Sequence, residues 1–192
     1  MNWNGQAKGV HAALASALFL GVVPIFGKLA MGLGFSPLAV ISVRTTGAAL
    51  FMLILMSVQM RSFFFIYPVG LIGCLLAGLM NGLGSILYYT ALNRLDAGVG
   101  HMLYSFYPFF VALWLLLDRQ PVTRITLLRL LISIPAVILL IFPGKTGIDP
   151  PGALMMLGSA VLYALHMIIN QRILYEAPAP TVTLYTLLAM AA

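Results

Sequence analysis

The sequence predicts an all-α, polytopic membrane helical bundle made of inverted five-helix repeats, the first complete and the second partial. Three observations predict it. The 192 residues hold ten basic and four acidic side chains, and 62% are hydrophobic, whereas a soluble domain is about 25% charged. Six stretches have the length and apolarity of a membrane crossing, which takes about 20 residues. The chain also aligns with itself at an offset that reverses its direction through the membrane. The shortage of charge excludes an ordinary soluble enzyme and a disordered tail.

The first stretch, 12–31, is longer than the apolar core of a cleaved signal peptide. Ser36-Pro37 opens the second, 37–58, and Tyr67-Pro68 opens the third, 68–92. The fourth is read as one span over 97–117. The fifth, 125–142, is short and carries Arg129 close to its start. Pro143-Gly144 and Asp149-Pro150-Pro151 mark the break before the sixth, 151–171. Pro178-Ala179-Pro180 precedes a seventh, 181–192, which covers about 18 Å of a roughly 30 Å core. The chain is expected to end inside a helix and to be part of a longer protein. No loop is long enough for a separate soluble domain.

The scattered cations suit topology better than nucleic acid, which is not an expected partner. Lys8, Arg61, Arg119, Arg124, Arg129 and Arg172 fall on one side, Arg94 and Lys145 on the other. The N-terminus is therefore expected in the cytoplasm, with the protein integral to the inner or plasma membrane. Cys74 is the sole cysteine. No disulfide framework and no Cys/His metal cluster can form, and no cofactor is expected.

An offset of 143 positions aligns 9–44 with 152–187 without a gap. Gly9/Gly152, Leu14/Leu157, Ser16/Ser159, Ala17/Ala160, Ile25/Ile168 and Pro37/Pro180 coincide. Two generic membrane helices can share apolar identities, but here a polar serine and a turn-forming proline match in register. Five spans separate the starts, so the second copy enters from the opposite side. The expected units are 1–147 and 148–192. Inverted repeats of this kind mark secondary transporters, with the substrate near the midplane between the halves.

The segment LASALFLGVVPIFGKLAMGLGFSPLAVISVRTTGAAL resembles the opening helix pair of the drug/metabolite transporter superfamily, EamA type. Lys28 and Arg44 stand where that family tends to carry a lysine late in helix one and an arginine in helix two. YYTALNRLDAGVGHMLYSFYPFFVALWLLLDRQPVTRITLLRLLIS resembles its passage from helix three to helix five. Asp118-Arg119 replaces the more usual Glu-Arg, and Pro24 departs from the aromatic-rich pattern of helix one. The resemblance covers essentially the whole chain. It implies ten helices in two inverted repeats and a transporter, without a substrate.

Intramembrane charge is costly, about 2.5–3.5 kcal/mol at the helix centre. Lys28 lies about 24 Å into the first stretch, near the outer interface, and either snorkels to headgroups or faces a cavity. Arg44 lies about 10 Å below that interface, in a cavity or ion pair or bonded to backbone. All four acids, Asp96, Asp118, Asp149 and Glu176, fall in loops or at span ends. That argues against proton-coupled export of cations and favours anionic or zwitterionic metabolites.

Asn81, Ser85 and Tyr88 share one face of the third stretch, beside Tyr89. Gly78 and Gly82 form a GxxxG pair, which permits close helix approach. Tyr104, Ser105 and Pro108 line the fourth with His101, which is either an interfacial or a titrating histidine. Pro108 removes a backbone bond and can free a carbonyl. Tyr163, His166 and Asn170 form a stripe with Ser159, fit for substrate handling or for interhelical hydrogen bonds. The substrate-cavity candidates are Lys28, Arg44, Asn81, Ser85, Tyr88, Tyr104, Ser105, Tyr163, His166 and Asn170, with no catalytic or metal-binding residue.

The expected function is secondary active transport of a small-molecule metabolite by alternating access, with the lipid bilayer as surroundings and a homodimer left open. A non-transporting membrane subunit or inactive fragment is the alternative. A membrane enzyme on lipid substrates would need acids or histidines clustered at one interface, and the acids are spread over both. No GxxxxGK[ST], HExxH or GxSxG motif supports hydrolysis.

Overall fold

The computed structural model describes residues 3–59, 61–119, 128, 131, 132, 135 and 149–192, with side chains from residue 9 onward. The fifth expected stretch lies outside the described residues but for four scattered positions, as do the repeat boundary at 147/148 and Arg124, Arg129 and Lys145. Among the described residues the helices are, in order, α1 Trp3–Gly32, α2 Pro37–Gln59, α3 Pro68–Arg94, α4 Ala97–Tyr104, α5 Tyr107–Leu117, α6 Pro150–Ile173 and α7 Ala179–Ala191. A 3-10 turn, Arg61–Phe64, links α2 to α3. No strand occurs among the described residues.

Among the described residues, Gly9–Gly32, Pro37–Gln59, Pro68–Arg94, Ala97–Leu117 and Pro150–Ile173 are long and apolar enough to cross a membrane. Pro sits in the first turn of α3, α5, α6 and α7, where the amide it lacks would have no partner within that helix, whereas Pro24 lies inside α1. Asp149 caps α6 by accepting from the Gly152 amide at 3.2 Å.

The fourth span covers Ala97–Leu117 as expected, with a break inside it. It breaks at Ser105-Phe106 into α4 and α5. Phe106 donates to the Leu103 carbonyl at 3.2 Å and Phe109 to Phe106 at 3.0 Å, both three residues apart. The cause is Pro108, whose missing N–H leaves the Tyr104 carbonyl without its partner one turn on and tightens the chain into 3-10 geometry.

Among the described residues α3 is central, and its packing against α6 is the most extensive of the helix pairs; α7 packs on α3 and α2, and α5 on α6. α1 touches its neighbours least. The core gathers Ile41, Leu92, Leu95, Leu103 and Met156 around Tyr88 and Tyr89. Glycine admits the backbones to each other. A Cβ on Gly78 would stand 2.5 Å from the Ala189 Cβ and 2.6 Å from the Thr186 carbonyl oxygen, on α7. The GxxxG reading therefore holds at Gly78. At Gly82 a Cβ would meet nothing nearer than 3.7 Å.

Candidate functional site

Lys28 and Arg44 enter the spanning helices together but find different partners. The ammonium of Lys28 donates to the carbonyl oxygen of Leu95, just past the end of α3. Carbonyls at a helix C-terminus lack intrahelical donors and carry the negative end of the helix dipole, so a cation there is stabilising. Lys28 is half-buried and tied to the protein.

Arg44 is exposed toward a cavity of about 340 Å3. Its guanidinium donates to the Tyr89 hydroxyl and to Ser85 Oγ, each at 3.4 Å, and lies 5.4 Å over the Tyr89 ring. The cavity is lined by Phe19, Val22, Val23, Phe26 and Gly27 of α1, Val40 and Arg44 of α2, and Tyr89 of α3. Gly27 is required there: a Cβ at this position would overlap the edge of the Tyr89 ring.

From Tyr89 the aromatic rings continue through the bundle. Tyr88 lies 5.3 Å from Tyr89, and Tyr104 lies 4.9 Å from Tyr88. Tyr163 of α6 packs 5.3 Å from Tyr104 and 5.1 Å from Tyr107. His166 stacks on Tyr163 at 5.8 Å. Most of these pairs are edge-on or tilted, the arrangement that aromatic quadrupoles favour. The run joins α3, α4, α5 and α6 through side chains that each carry a polar end.

His166 is held at both ring nitrogens. Nδ1 faces the Ala77 carbonyl at 2.9 Å and must donate to it. Nε2 then accepts from Asn170 Nδ2 at 3.1 Å. Thr186 Oγ1 of α7 donates to Asn170 Oδ1 at 3.5 Å. Of the two readings of the stripe, interhelical hydrogen bonding is the one these contacts carry. Ser159 belongs to the same face and donates to the Gly84 carbonyl at 2.7 Å.

The other candidates disperse. Asn81 Nδ2 reaches Met190 Sδ at 3.4 Å. Ser105 is exposed, lies at the helix break and donates back to the His101 carbonyl at 2.8 Å. His101 is exposed and lies 6.2 Å from the Tyr104 ring. Three partners were missing from the expected set. Tyr89 and Tyr107 sit in aromatic-rich apolar runs, and Thr186 in a short apolar stretch; only their tertiary partners, Arg44 for Tyr89, Tyr163 for Tyr107 and Asn170 for Thr186, single them out. The Tyr88-Tyr89 doublet was the available signal.

The four acids lie at element ends, as the sequence indicates. Asp96 and Asp149 precede α4 and α6, Asp118 follows α5, and Glu176 lies beyond α6. Arg94 pairs with Asp149 at 3.2 Å, and Arg172 with Asp118. These are the ion pairs among the described residues, one at each end of α6, and neither involves Arg44. The Asp118–Arg172 pair borders a second cavity of about 320 Å3, with Trp114, Leu117, Leu165, Ile168 and Ile169. No group of three or more His, Cys, Asp or Glu among the described residues is placed to hold a metal.

The family model described as EamA-like transporter family matches residues 7–142. No curated protein and no solved structure matches the chain.

Proposed function

Because this chain belongs to the EamA-like transporter family, within the drug/metabolite transporter superfamily, we propose that it moves a small metabolite by secondary active transport with alternating access. The membrane is the inner or plasma membrane, with the N-terminus in the cytoplasm. The first repeat spans 1–147 and the second begins at 148. Substrate is handled between the repeats, where inverted-repeat transporters build their sites.

One observation carries this reading. Tyrosines of the first repeat, Tyr88, Tyr104 and Tyr107, meet Tyr163 of the second in a continuous run. Tyr163 lies about 20 Å along α6, near its midpoint. Each tyrosine brings into the seam a polar hydroxyl that an aliphatic side chain would not. The seam also has an arginine at one end and a broken span beside it, and a discontinuous helix at membrane depth is a frequent device for exposing backbone polar groups to substrate.

The two ion pairs support the rocking motion. Each ties one end of α6 to the first repeat, and both are exposed, so either opens at a cost of about 0–1 kcal/mol. Alternating access requires one end to open while the other stays closed.

The test is flux into proteoliposomes reconstituted with the chain, using a radiolabelled panel of amino acids and short carboxylates. The expected result is saturable uptake of at least one compound above empty vesicles, lost in Tyr163→Ala protein that still melts cooperatively. Uptake of none of them contradicts the proposal.

A further inference from the structure

Resting on that transport reading, we infer that the Arg44 cavity recognises an apolar monoanion: a single carboxylate or singly charged phosphate on the guanidinium, with a hydrocarbon or aromatic body along the crevice between α1 and α2.

The charge count sets the first part. Two intramembrane cations would suit a doubly charged ligand. Lys28, however, spends its ammonium on the Leu95 carbonyl. Arg44 has no carboxylate beside it: the four acids of the chain lie at element ends, and its hydrogen bonds go to two neutral hydroxyls. Both contacts are 3.4 Å, at the long limit of a hydrogen bond. A guanidinium has five donors in a planar fork, and two weak acceptors leave most of them unused. In the low dielectric of a spanning helix, an anion that takes the fork in two parallel bonds is the chemistry it lacks.

The walls set the second part. Phe19, Val22, Val23, Phe26 and Val40 offer no donor or acceptor side chain to a ligand body. A sugar, a polyol or a second charge would be desolvated there without compensation. The volume of about 340 Å3 stands at the small end of ligand pockets. The same chemistry is found in a free carboxylate with an apolar tail and in an anionic lipid of the bilayer.

Equilibrium binding to the protein in phosphatidylcholine nanodiscs tests this with three near-isosteric probes: 4-phenylbutyrate, 4-phenylbutyramide and 4-phenylbutylamine. The carboxylate is expected to bind at least tenfold more tightly than the amide, and the amine not at all. Arg44→Gln removes the difference between carboxylate and amide, and Arg44→Lys keeps part of it. Val40→Trp, which fills the crevice and leaves the charge, weakens the carboxylate. Equal binding of the three probes, no binding of the carboxylate, or an unchanged preference in Arg44→Gln overturns the inference. Replacing part of the lipid with phosphatidylglycerol separates the sources. Competition assigns the site to an anionic lipid and its absence to a soluble anion, and either keeps the monoanion chemistry. Flux measured on the same protein keeps the two readings apart. Charge-selective binding without flux supports the site and counts against transport. Flux without charge preference supports transport and overturns the site.

Discussion

Arg44 and Lys28 have the same formal charge and different surroundings. A guanidinium bound by two long hydroxyl contacts beside a cavity is available to a ligand; an ammonium on a helix-end carbonyl is a structural tie. Two substitutions separate them. Arg44→Gln should lower substrate affinity roughly tenfold to a hundredfold, since a hydrogen bond to a charged group contributes about 1.5–3 kcal/mol. Its melting temperature should stay near that of the parent. Lys28→Met should instead lower the melting temperature slightly, by the equivalent of about 0.3–1 kcal/mol, and leave flux unchanged. Loss of flux in stable Lys28→Met protein would return that residue to the site. Gly27→Ala is the steric counterpart. Its methyl overlaps the Tyr89 ring, and overpacking of this kind costs about 1–3 kcal/mol, readable as a lower melting temperature with weaker binding. Both cations were legible in the sequence because charge in an apolar run stands out. Their partners were not, because Tyr89 and the Leu95 carbonyl come from α3, and nothing local to α1 or α2 points to them.

Helices were the most legible level. Apolar length bounded by proline turns places α2, α3 and α6 within two residues of where they lie. The break in the fourth span was half legible. Pro108 signals a lost bond, but a proline near a helix start is also harmless. Whether the chain bends is decided by the two tight turns at Ser105-Phe106. The GxxxG pair shows the same limit. Its two glycines look alike in sequence, yet only Gly78 touches α7 closely. Gly78→Val should therefore destabilise the protein by about 1–3 kcal/mol. Gly82→Ala should lie within about 0.5 kcal/mol of the parent, as a substitution without a clash does. Thermal unfolding in detergent reads both, and equal effects would contradict the close α3–α7 seam. The polar stripe of α6 was visible as a face, but its use was not. Helical spacing shows that Tyr163, His166 and Asn170 point one way; Ala77 and Thr186, which fix the histidine and the amide, come from α3 and α7.

At the scale of the whole molecule, α6 is where the account is decided. Among the described residues it packs on α3 more extensively than any other pair of helices, carries Tyr163 into the tyrosine run, and is tied to its neighbours at both ends by ion pairs of opposite sense. In Arg94–Asp149 the cation comes from α3; in Asp118–Arg172 it comes from α6. In the proposed transport cycle the two ties at opposite ends of this helix open in turn. The most direct measurement is flux through chains whose ends are locked. In a Cys74→Ala background, cysteines replace Arg94 and Asp149 in one variant, and Asp118 and Arg172 in another. Each pair is bridged with a short bis-methanethiosulfonate linker, and uptake into proteoliposomes is recorded before and after reduction. The account predicts that either bridge alone stops flux and that reductant restores it. Uptake that continues through both bridged proteins would contradict a motion of α6 against the first repeat.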